Sequence, residues 1–505
     1  ADARGNLQGI YRSGDGGDNW SSKSLVNINN VPFTWWFGRI YVHPNNPDKV
    51  FVTGLNMFAS DDGGDSWQRI FYDAHIDHHA FYTHPAVPDF YIDGHDGGID
   101  ISYDGGLTHY NVKALENIQF YTCTAEPSNP DVIYGGTQDN GILSTRGEAD
   151  QWNYLWGGDG FSVLVDPHDN NRIMVQVARG HVAVSSDGGL SFEDRVSGLE
   201  GFFNWNAPLV PDPANPDRIY TASQSLYVTE NWGVEWSALS PQILQPNVGE
   251  GGVVTGTFSA LDISSVDEQS ICLGTDHGKV WLSRDGGSSF MDITHNLPQR
   301  WVTSVKFDKW STGIYVTLSG FRFGEMTSHV FYSDNEGINW LPVAEELPDI
   351  PVNDILVDDL LEDHLYVATD VGVFYSPDRG QSWNKIGIDM PVVPVCDLDK
   401  TKESRLLYAA TYGKGIYRYE LPMTTSLDIL TEASPYIYPN PTSGVVYLPD
   451  HNKFNSIIVY DMQGLRKASF ASSPILNLAQ LNQGVYILQL SDKETVVNQK
   501  IMIYH

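Results

Sequence analysis

The sequence is poor in cysteine and contains no long hydrophobic run. Its 505 residues include three cysteines, Cys123, Cys272 and Cys396, which lie far apart and each inside an apolar run. An odd, scattered set gives no disulfide framework, and without a Cys-x-x-Cys pair it gives no thiolate metal site. We therefore expect three buried strand cysteines. No run approaches the roughly 18 apolar residues that a membrane-spanning helix needs.

Lysine and arginine are also scarce. There are 30 of them against 63 aspartates and glutamates, and the formal net charge is −33. Because phosphate groups are bound by concentrated basic surfaces, this deficit argues against nucleic acid and against anionic membrane surfaces as partners. The chain begins Ala-Asp-Ala-Arg, without methionine or a basic and apolar leader. We therefore expect a mature or trimmed chain from which any export signal has already gone.

Glycine and aromatic residues, in contrast, are abundant. The chain has 47 glycines, and aromatic residues make up 12% of it, whereas charged residues make up only 18%. Many glycine turns together with many aromatic residues favour short strands over helices. The arrangement of these strands follows from an internal repeat.

One short motif, Ser-x-Asp-x-Gly-x-x-aromatic, recurs with its closing residues 40 to 54 positions apart. In such a motif the Ser and Asp side chains hydrogen-bond the backbone of a tight turn, and glycine supplies the positive φ. The aromatic residue then wedges into the core. We call each copy a staple and expect its role to be structural. The copies end at Trp20, Trp67, Tyr110, Phe192, Phe290, Trp340 and Trp383, and decayed copies end at Trp152 and Trp236.

The same order of signals surrounds each staple. Each repeat begins with an apolar run and a turn that is often Asn-Pro-Asp, followed by a second run and a glycine-bearing turn. A third run then leads into the staple, and a fourth run leaves it. This order predicts four antiparallel strands per repeat, and radial repetition of four-stranded sheets at this period is a β-propeller. We predict an all-β protein with a propeller at residues 1–420, of about seven to ten blades and most simply nine. Either the N-terminal strands close the ring against the last repeat, or residues are missing before Ala1.

The staples, the Asn-Pro-Asp turns and the period resemble the Asp-box (BNR) propellers. That grouping includes sialidases, xyloglucan-cleaving hydrolases with two propellers, and sortilin-type VPS10 domains. The segments HIDHHAFYTHP, GHDGGIDISYDGG, GGTQDNG and GGDGFSVLVDP are most similar to secreted bacterial proteins of the VPS10 and glycosyl-hydrolase-like kind. The resemblance covers residues 1 to about 420 and implies the fold. It implies no single activity, because these families differ in what they do.

A second, different domain is predicted at the C-terminus. The staples stop near Glu420, residues 421–434 read as a polar linker, and short alternating strands at 435–505 predict a small β-sandwich. The segments YPNPTSG, YDMQG, GVYILQL and QKIMI resemble the type A C-terminal sorting domain of Bacteroidetes type IX secretion substrates. That resemblance implies export by the type IX machinery to the medium or the outer cell surface, with removal of the sorting domain.

The propeller face opposite the staples collects the residues that could carry chemistry. Successive turns of a blade alternate between the two faces, and propeller ligands sit in the concave centre of one face. Carboxylates beside exposed indoles suit a sugar polymer, although turn formation and packing between blades are the structural alternatives. We take three aspartates as catalytic candidates and six residues as ligand-binding candidates: Asp96, Asp139 and Asp159, then Trp35, Trp36, Trp156, Trp205, Trp301 and Gln138.

A histidine-rich segment precedes one predicted inner strand. On a strand, His75, Asp77 and His79 share one face, which supplies three ligands of the types that bind divalent metals. A hydrogen-bonded cluster lining the channel is the alternative. We predict no resident cofactor beyond this candidate metal site.

These observations predict a secreted or cell-surface propeller that binds either an extracellular glycan polymer or a protein. The alternative is a glycoside hydrolase with an acidic pair at the channel mouth, which needs two carboxyls about 5–5.5 Å apart for retention or about 6.5–9.5 Å for inversion. The two-propeller hydrolases hold their acid and base across a cleft between propellers, whereas one propeller is predicted here. A sialidase is disfavoured because Tyr41 follows Arg39-Ile40 where an Arg-Ile-Pro signature is expected.

Overall fold

The computed structural model describes residues 5–28, 33–113, 115, 117–145, 147, 148, 151–249, 254–320, 328–344, 346–387, 389–401, 404–421, 437, 442–448, 451–461, 465–491 and 496–504. The chain divides into two compact units, 1–421 and 422–505. Residues 422–434 of the predicted linker lie outside the described residues. The described structure is nearly all β. Its helical parts are one α-helix at Thr34–Phe37 and 3₁₀ turns at Ala178–Gly180 and His451–Lys453. None of the helices found in the described ranges is long and apolar enough to cross a membrane.

The first unit begins with a stack of three sheets, which we call the arc. A two-stranded sheet packs on a four-stranded one through Ile10, Val52 and Trp67, and the second sheet packs on the third through Phe51 and Phe81. All neighbouring strands are antiparallel and sequential. The strands are β1–β2 (Tyr11–Arg12, Ser21–Ser22), β3–β6 (Ile40–His43, Asn46–Val52, Met57–Ser60, Gln68–Ile70) and β7–β10 (His78–Thr83, Tyr91–His95, Gly98–Ser102, Tyr110–Asn111).

The next seven sheets form a closed ring. Neighbouring sheets share hydrophobic cores or contacts between their first strands, and the seventh sheet returns to the first. The strands are β11–β14 (Phe120–Glu126, Asn129–Thr137, Gly141–Ser144, Asn153–Trp156), β15–β18 (Gly160–Asp166, Asp169–Val177, His181–Ser185, Glu193–Asp194), β19–β22 (Leu209–Pro211, Ile219–Ala222, Leu226–Thr229, Ser237–Ala238), a hairpin β23–β24 (Asn247–Val248, Val254–Thr255), β25–β28 (Phe258–Ile263, Ile271–Thr275, Val280–Ser283, Met291–Asp292), β29–β32 (Val302–Phe307, Ile314–Leu318, Val330–Ser333, Leu341–Pro342), β33–β36 (Val352–Val357, Leu365–Thr369, Gly372–Ser376, Asn384–Ile386) and β37–β39 (Val395–Lys400, Leu406–Thr411, Ile416–Glu420).

Polar contacts between the first and last ring sheets complete the closure. The backbone N–H of Cys123 donates to Asp397 at 2.9 Å, and the hydroxyl of Tyr408 donates to the carbonyl of Pro130 at 2.6 Å. The propeller is therefore a ring of seven sheets, built from residues 120–420. The predicted range of seven to ten blades includes this number. The preferred value of nine was wrong, because it counted the β3–β6 and β7–β10 sheets, which the ring leaves out.

The staples form the same set of serine or threonine hydrogen bonds in every copy except the decayed one that ends at Trp152, where the Ser144 hydroxyl has no hydrogen-bond partner among the described residues. In the copy at Ser185, the serine hydroxyl donates to Asp187 at 2.8 Å and accepts the backbone N–H of Gly189 at 2.8 Å. Oδ1 of Asp187 accepts the backbone N–H of Ser191 at 2.9 Å. At four staples, those that end at Trp67, Trp236, Trp340 and Trp383, the indole also donates to a carbonyl just after the last strand of the preceding sheet, as Trp340 does to Ile293 at 2.8 Å. The staple thus fixes both its own turn and the contact between neighbouring sheets.

One staple closes differently from its sequence prediction. In the third copy His109, not Tyr110, occupies the closing position, seven residues after Ser102 as in the regular copies. The His109 ring packs on Phe71 and its Nδ1 lies 2.9 Å from Asp100, whereas Tyr110 is exposed. The reason is spacing, because only the seventh residue faces the preceding sheet. Trp20 is exposed as well, since it closes the staple of the first sheet in the arc.

The second unit contains a four-stranded sheet and a two-stranded sheet around one core. The larger sheet has the order β42-β41-β44-β45 and the smaller one pairs β40 with β43, all antiparallel. Core residues such as Val446, Val459 and Leu488 come from both sheets, as expected for a small sandwich. The strands are β40–β45: Val445–Tyr447, Ser456–Asp461, Arg466–Ala471, Ile475–Asn477, Gly484–Ser491 and Val496–Ile503.

The three thiols are free. Cys123 and Cys272 are buried in strands as predicted, and Cys396 is half-buried at the start of β37.

Candidate functional site

The arc meets the ring through loops that carry most of the candidate site residues. Nε2 of His75, from the loop before β7, lies 2.9 Å from the carbonyl of Asp139 in the β12–β13 turn. The amide of Asn140 donates to the carbonyl of Asp96, in the β8–β9 turn, at 3.0 Å. Four carboxylates from these loops converge here, and we call them the acidic junction: Asp77, Asp96, Asp139 and Asp159.

Glycines let the two ring carboxylates of the junction meet. A Cβ on Gly160 would lie 2.3 Å from the carbonyl oxygen of Gly141, and one on Gly136 would lie 2.2 Å from that of Phe161. The first two ring sheets therefore approach more closely than any larger residue allows. As a result, Asp159 accepts the backbone N–H of Asp139 at 3.0 Å.

Burial and mutual repulsion raise the pKa values of three junction carboxyls. The pKa of Asp77 is raised by burial and by the charges of Asp96 and Asp139. Burial also raises the pKa of Asp96. The neighbouring Asp139 carboxyl adds to this increase, and His79 opposes it. The pKa of Asp159 is raised by burial in spite of its bond from the Asp139 backbone. Asp77 and Asp139 also adopt left-handed φ angles of 67° and 60°, which are uncommon for residues other than glycine.

The predicted metal trio does not form a ligand set. His79 Nε2 lies 2.9 Å from Asp96, and the two ring nitrogens of His75 are engaged by the carbonyls of Ile76 and Asp139. Among the residues that the structure describes, no group of three or more His, Cys, Asp or Glu side chains is arranged to hold a metal ion. The metal prediction is therefore not supported, because hydrogen bonds across the junction already occupy these histidine nitrogens.

Two exposed tryptophan surfaces flank the acidic junction. On the arc side, Trp36 makes an edge contact with His79, with ring centroids 6.1 Å apart, and Trp35 packs beside Trp36. On the ring side, the indole of Trp205 lies under the guanidinium of Arg179. These three indoles are between 46% and 67% exposed. The loops of arc and ring meet at the junction, and we refer below to the junction together with Trp35, Trp36 and Trp205 as the groove.

The remaining candidates lie elsewhere or have structural roles. Trp156 is half-buried and packs on Phe192 between the first two ring sheets, so it is no exposed platform. The side-chain oxygen of Gln138 accepts hydrogen bonds from Tyr121 and Tyr412, which tie the last ring sheet to the first. Trp301 is exposed, but it lies at a cavity over the ring channel and not in the groove.

Sequence reasoning missed several residues that the site uses. Asn140 bridges the ring to the arc, Arg179 covers Trp205, and Tyr121 and Tyr412 meet across the ring closure. Asn140 could have been found from its place beside Asp139 in the GGTQDNG turn. Tyr412 carries no such signal, because only the closure of the ring brings it to Tyr121.

Comparison with family models identifies the C-terminal domain. Residues 436–504 match the model described as a secretion system C-terminal sorting domain. The chain therefore carries a sorting domain of the type IX secretion system and is a secreted or cell-surface protein. No curated protein matches the chain.

The solved structures that resemble this chain are distant from it in sequence. YCF48 from Cyanidioschyzon merolae is 15% identical over 61% of this chain and 96% of its own, with a TM-score of 0.46. The extracellular domain of the putative hybrid two-component system BT3049 from B. thetaiotaomicron is 11% identical over 99% and 72%, with a TM-score of 0.47. The GH74 enzyme of Niastella koreensis is 14% identical over 81% and 79%, with a TM-score of 0.26. These likenesses are too distant to bear on function.

Proposed function

We propose that this secreted protein binds an extracellular polysaccharide in the groove between arc and ring. The observation that carries the proposal is the placement of exposed indoles on both sides of a half-buried carboxylate cluster. Trp36 on the arc presents an aromatic face to solvent, Trp205 on the ring is 46% exposed beneath Arg179, and Asp96 and Asp139 lie between them. Aromatic faces bury the C–H surfaces of sugar rings, and carboxylates accept hydrogen bonds from sugar hydroxyls.

The charge of the protein favours an uncharged polysaccharide. The net charge is −33, and four of the carboxylates lie together in the acidic junction. An anionic polymer would be repelled at long range and would meet like charges on contact. A neutral glycan carries no such cost.

We expect Trp36→Ala to weaken retention on neutral polysaccharides by at least about tenfold, because an exposed aromatic platform would be lost. The measurement is binding of the full chain to an array of neutral and acidic plant and microbial polysaccharides. Trp20→Ala is the matched control, since Trp20 is 63% exposed and Trp36 is 59% exposed, but Trp20 lies on a staple of the arc. Equal binding by the wild type and the Trp36 variant would contradict the proposal.

Hydrolysis of the bound polysaccharide is a second candidate function. The observation that favours it is the pair Asp96 and Asp139, which lie within hydrogen-bonding reach of each other on different parts of the fold. The raised pKa of Asp96 would keep its carboxyl protonated to a higher pH than an ordinary aspartate, so that Asp96 could act as the general acid. For Asp139 to serve as the carboxylate partner, a bound substrate would have to part the two carboxyls to the distance of about 5–5.5 Å found in a retaining enzyme.

We expect Asp96→Asn to abolish release of reducing ends from a polysaccharide that the array identifies, while binding remains. Loss of the general acid removes proton transfer to the leaving group but leaves the indole platforms in place. Rates for the wild type should fall as the pH rises through the raised pKa of Asp96, since the acid form is then lost. Binding without any release of reducing ends by the wild type would leave a binding protein and exclude the hydrolase.

A further inference from the structure

An open cavity lies over the central channel of the ring. Its volume is about 430 Å³, and it is lined at the starts of inner strands from most of the ring sheets. Small-molecule sites commonly have volumes of about 300–1,000 Å³. The channel mouth is therefore not plugged by packed side chains, and it has room for a small ring-shaped ligand.

The lining combines apolar surface with several polar groups and carries little charge. Asn204, Asn206, Ser259 and Thr303 contribute amides and hydroxyls, and none of the described lining residues is lysine or arginine. The carboxylate in the lining, Asp370, accepts a hydrogen bond from Asn353 at 3.0 Å. A ligand with a negative charge would find no cation among these residues, whereas a neutral ligand with hydroxyl groups would find both donors and acceptors.

Aromatic surfaces bound the cavity on two sides. Trp301, directly before β29, is 42% exposed and forms part of the lining. On the other side Tyr121 stacks on Phe161, with ring centroids 4.7 Å apart, and lies beside Tyr412. Flat aromatic faces together with amides and hydroxyls match a sugar ring, which has apolar C–H faces and a polar edge.

The inner strands hold much of this lining in place. Ser259 donates to the carbonyl of Val302 at 2.7 Å, Thr303 to that of Val352 at 2.6 Å, and Asn353 to that of Val395 at 2.8 Å. Each bond joins one ring sheet to the next. The cavity is thus built by the closed ring itself and is largely preformed, which lowers the entropic cost of binding a ligand. Asn206 is exposed at the mouth, and its backbone is fixed by Asn204.

We propose that this cavity is a second carbohydrate site, which holds one uncharged sugar unit stacked on Trp301 and hydrogen-bonded by Asn206. The proposal rests on the proposed function in one respect, the carbohydrate class of the ligand. It adds a site centred on Trp301, whose described lining includes Asp370 and none of the four junction carboxylates. Such a site would hold a branch or an end of the polymer that the groove binds.

Calorimetric titration of the full chain with neutral tetrasaccharides tests the proposal. The probes are the β-1,4-linked tetramers of glucose, xylose, mannose and galactose, with tetragalacturonate as the anionic comparison. We expect a neutral tetramer to bind at two sites, and Trp301→Ala and Asn206→Ala each to weaken one of them by at least about tenfold. Trp310→Ala is the matched control, because Trp310 is 43% exposed and follows the other end of the same strand, β29.

The variants separate this proposal from the groove. Loss of one site in Trp301→Ala and of the other in Trp36→Ala supports both proposals. If Trp36→Ala removes all binding and Trp301→Ala removes none, the cavity proposal is wrong and the groove stands. The reverse result supports the cavity and overturns the groove. Absence of binding by every neutral tetramer overturns both, and tetragalacturonate binding that depends on Trp301 overturns the uncharged class of ligand.

Discussion

At the scale of single residues, the staples show how the side chains of an eight-residue motif stabilise its own turn. In the copy at Ser185 the hydroxyl both donates to Asp187 and accepts the backbone N–H of Gly189, and both the serine and the glycine are buried. A buried N–H without an acceptor costs more than the net value of the bond it loses. The serine is therefore the residue of the motif whose loss matters most.

We expect Ser185→Ala to lower the free energy of unfolding by about 1–3 kcal/mol, because the N–H of Gly189 would lose its acceptor. The measurement is the urea midpoint of the first transition of the full chain. Ser191→Ala provides the matched control, since its exposed hydroxyl donates only to Asp187. An equal effect of the two substitutions would show that the buried acceptor is not what stabilises the turn.

At the scale of elements, the inner strands of the ring are joined by carboxylates that face the channel. Asp262 accepts the N–H of Phe307 at 2.7 Å, and Asp399 accepts that of Ala125 at 2.7 Å, each across a sheet boundary. Lys306 lies near these carboxylates, and their charges raise its pKa although burial lowers it. Burial and the charge of Asp354 raise the pKa of Asp397. One cation thus offsets part of the repulsion that the strands create.

Lys306→Met should destabilise the ring by on the order of 1–3 kcal/mol at neutral pH, because the channel carboxylates would lose their nearby cation. The loss should shrink as the pH falls through the raised pKa of Asp397, since a protonated carboxyl needs no counter-charge. Thermal unfolding at several pH values measures both effects. Lys309→Met, on the same segment, is the control, and a loss independent of pH would contradict the role given to Lys306.

At the scale of the whole molecule, two sets of carboxylates respond to acid in opposite directions. Hydrogen bonds from side chains and backbone hold the pKa values of Asp104, Asp187 and Asp285 at about 2. Their stabilising effect is present above the unfolded pKa of about 4 and is lost as the pH falls towards 2. In the acidic junction, by contrast, the raised pKa of Asp96 means that its ionised form costs stability near neutral pH.

The unfolding temperature of the chain should therefore hold or rise slightly on acidification from neutral pH to about 4, and fall steeply below about 4. Asp96→Asn should remove the rise because it removes the titrating group, and it should leave the fall unchanged. Asp187→Asn should instead make the fall shallower. A decline that begins well above pH 4 in the wild type would be inconsistent with both assignments.

Much of the fold could be predicted because its signals are local. A staple needs only residues within seven positions of one another, and the four-strand repeat needs only alternating apolar runs and turns. The same reasoning found the face that carries Asp96, Asp139 and Asp159. It failed for Tyr110, where the closing residue was placed one position too late, and for Gln138, whose oxygen ties Tyr121 to Tyr412.

The staples, the sheets, the sorting domain and the turns that hold the candidate residues depend on neighbours along the chain, and so they can be read from the residues. The closure of the ring between Cys123 and Asp397, which leaves the arc outside, becomes visible only in the folded molecule. That closure brings Asp96 of the arc to Asp139 of the ring. Closure depends on which sheets share a core. Because the sheets of successive repeats present nearly the same apolar faces, the residues do not show which two sheets will meet.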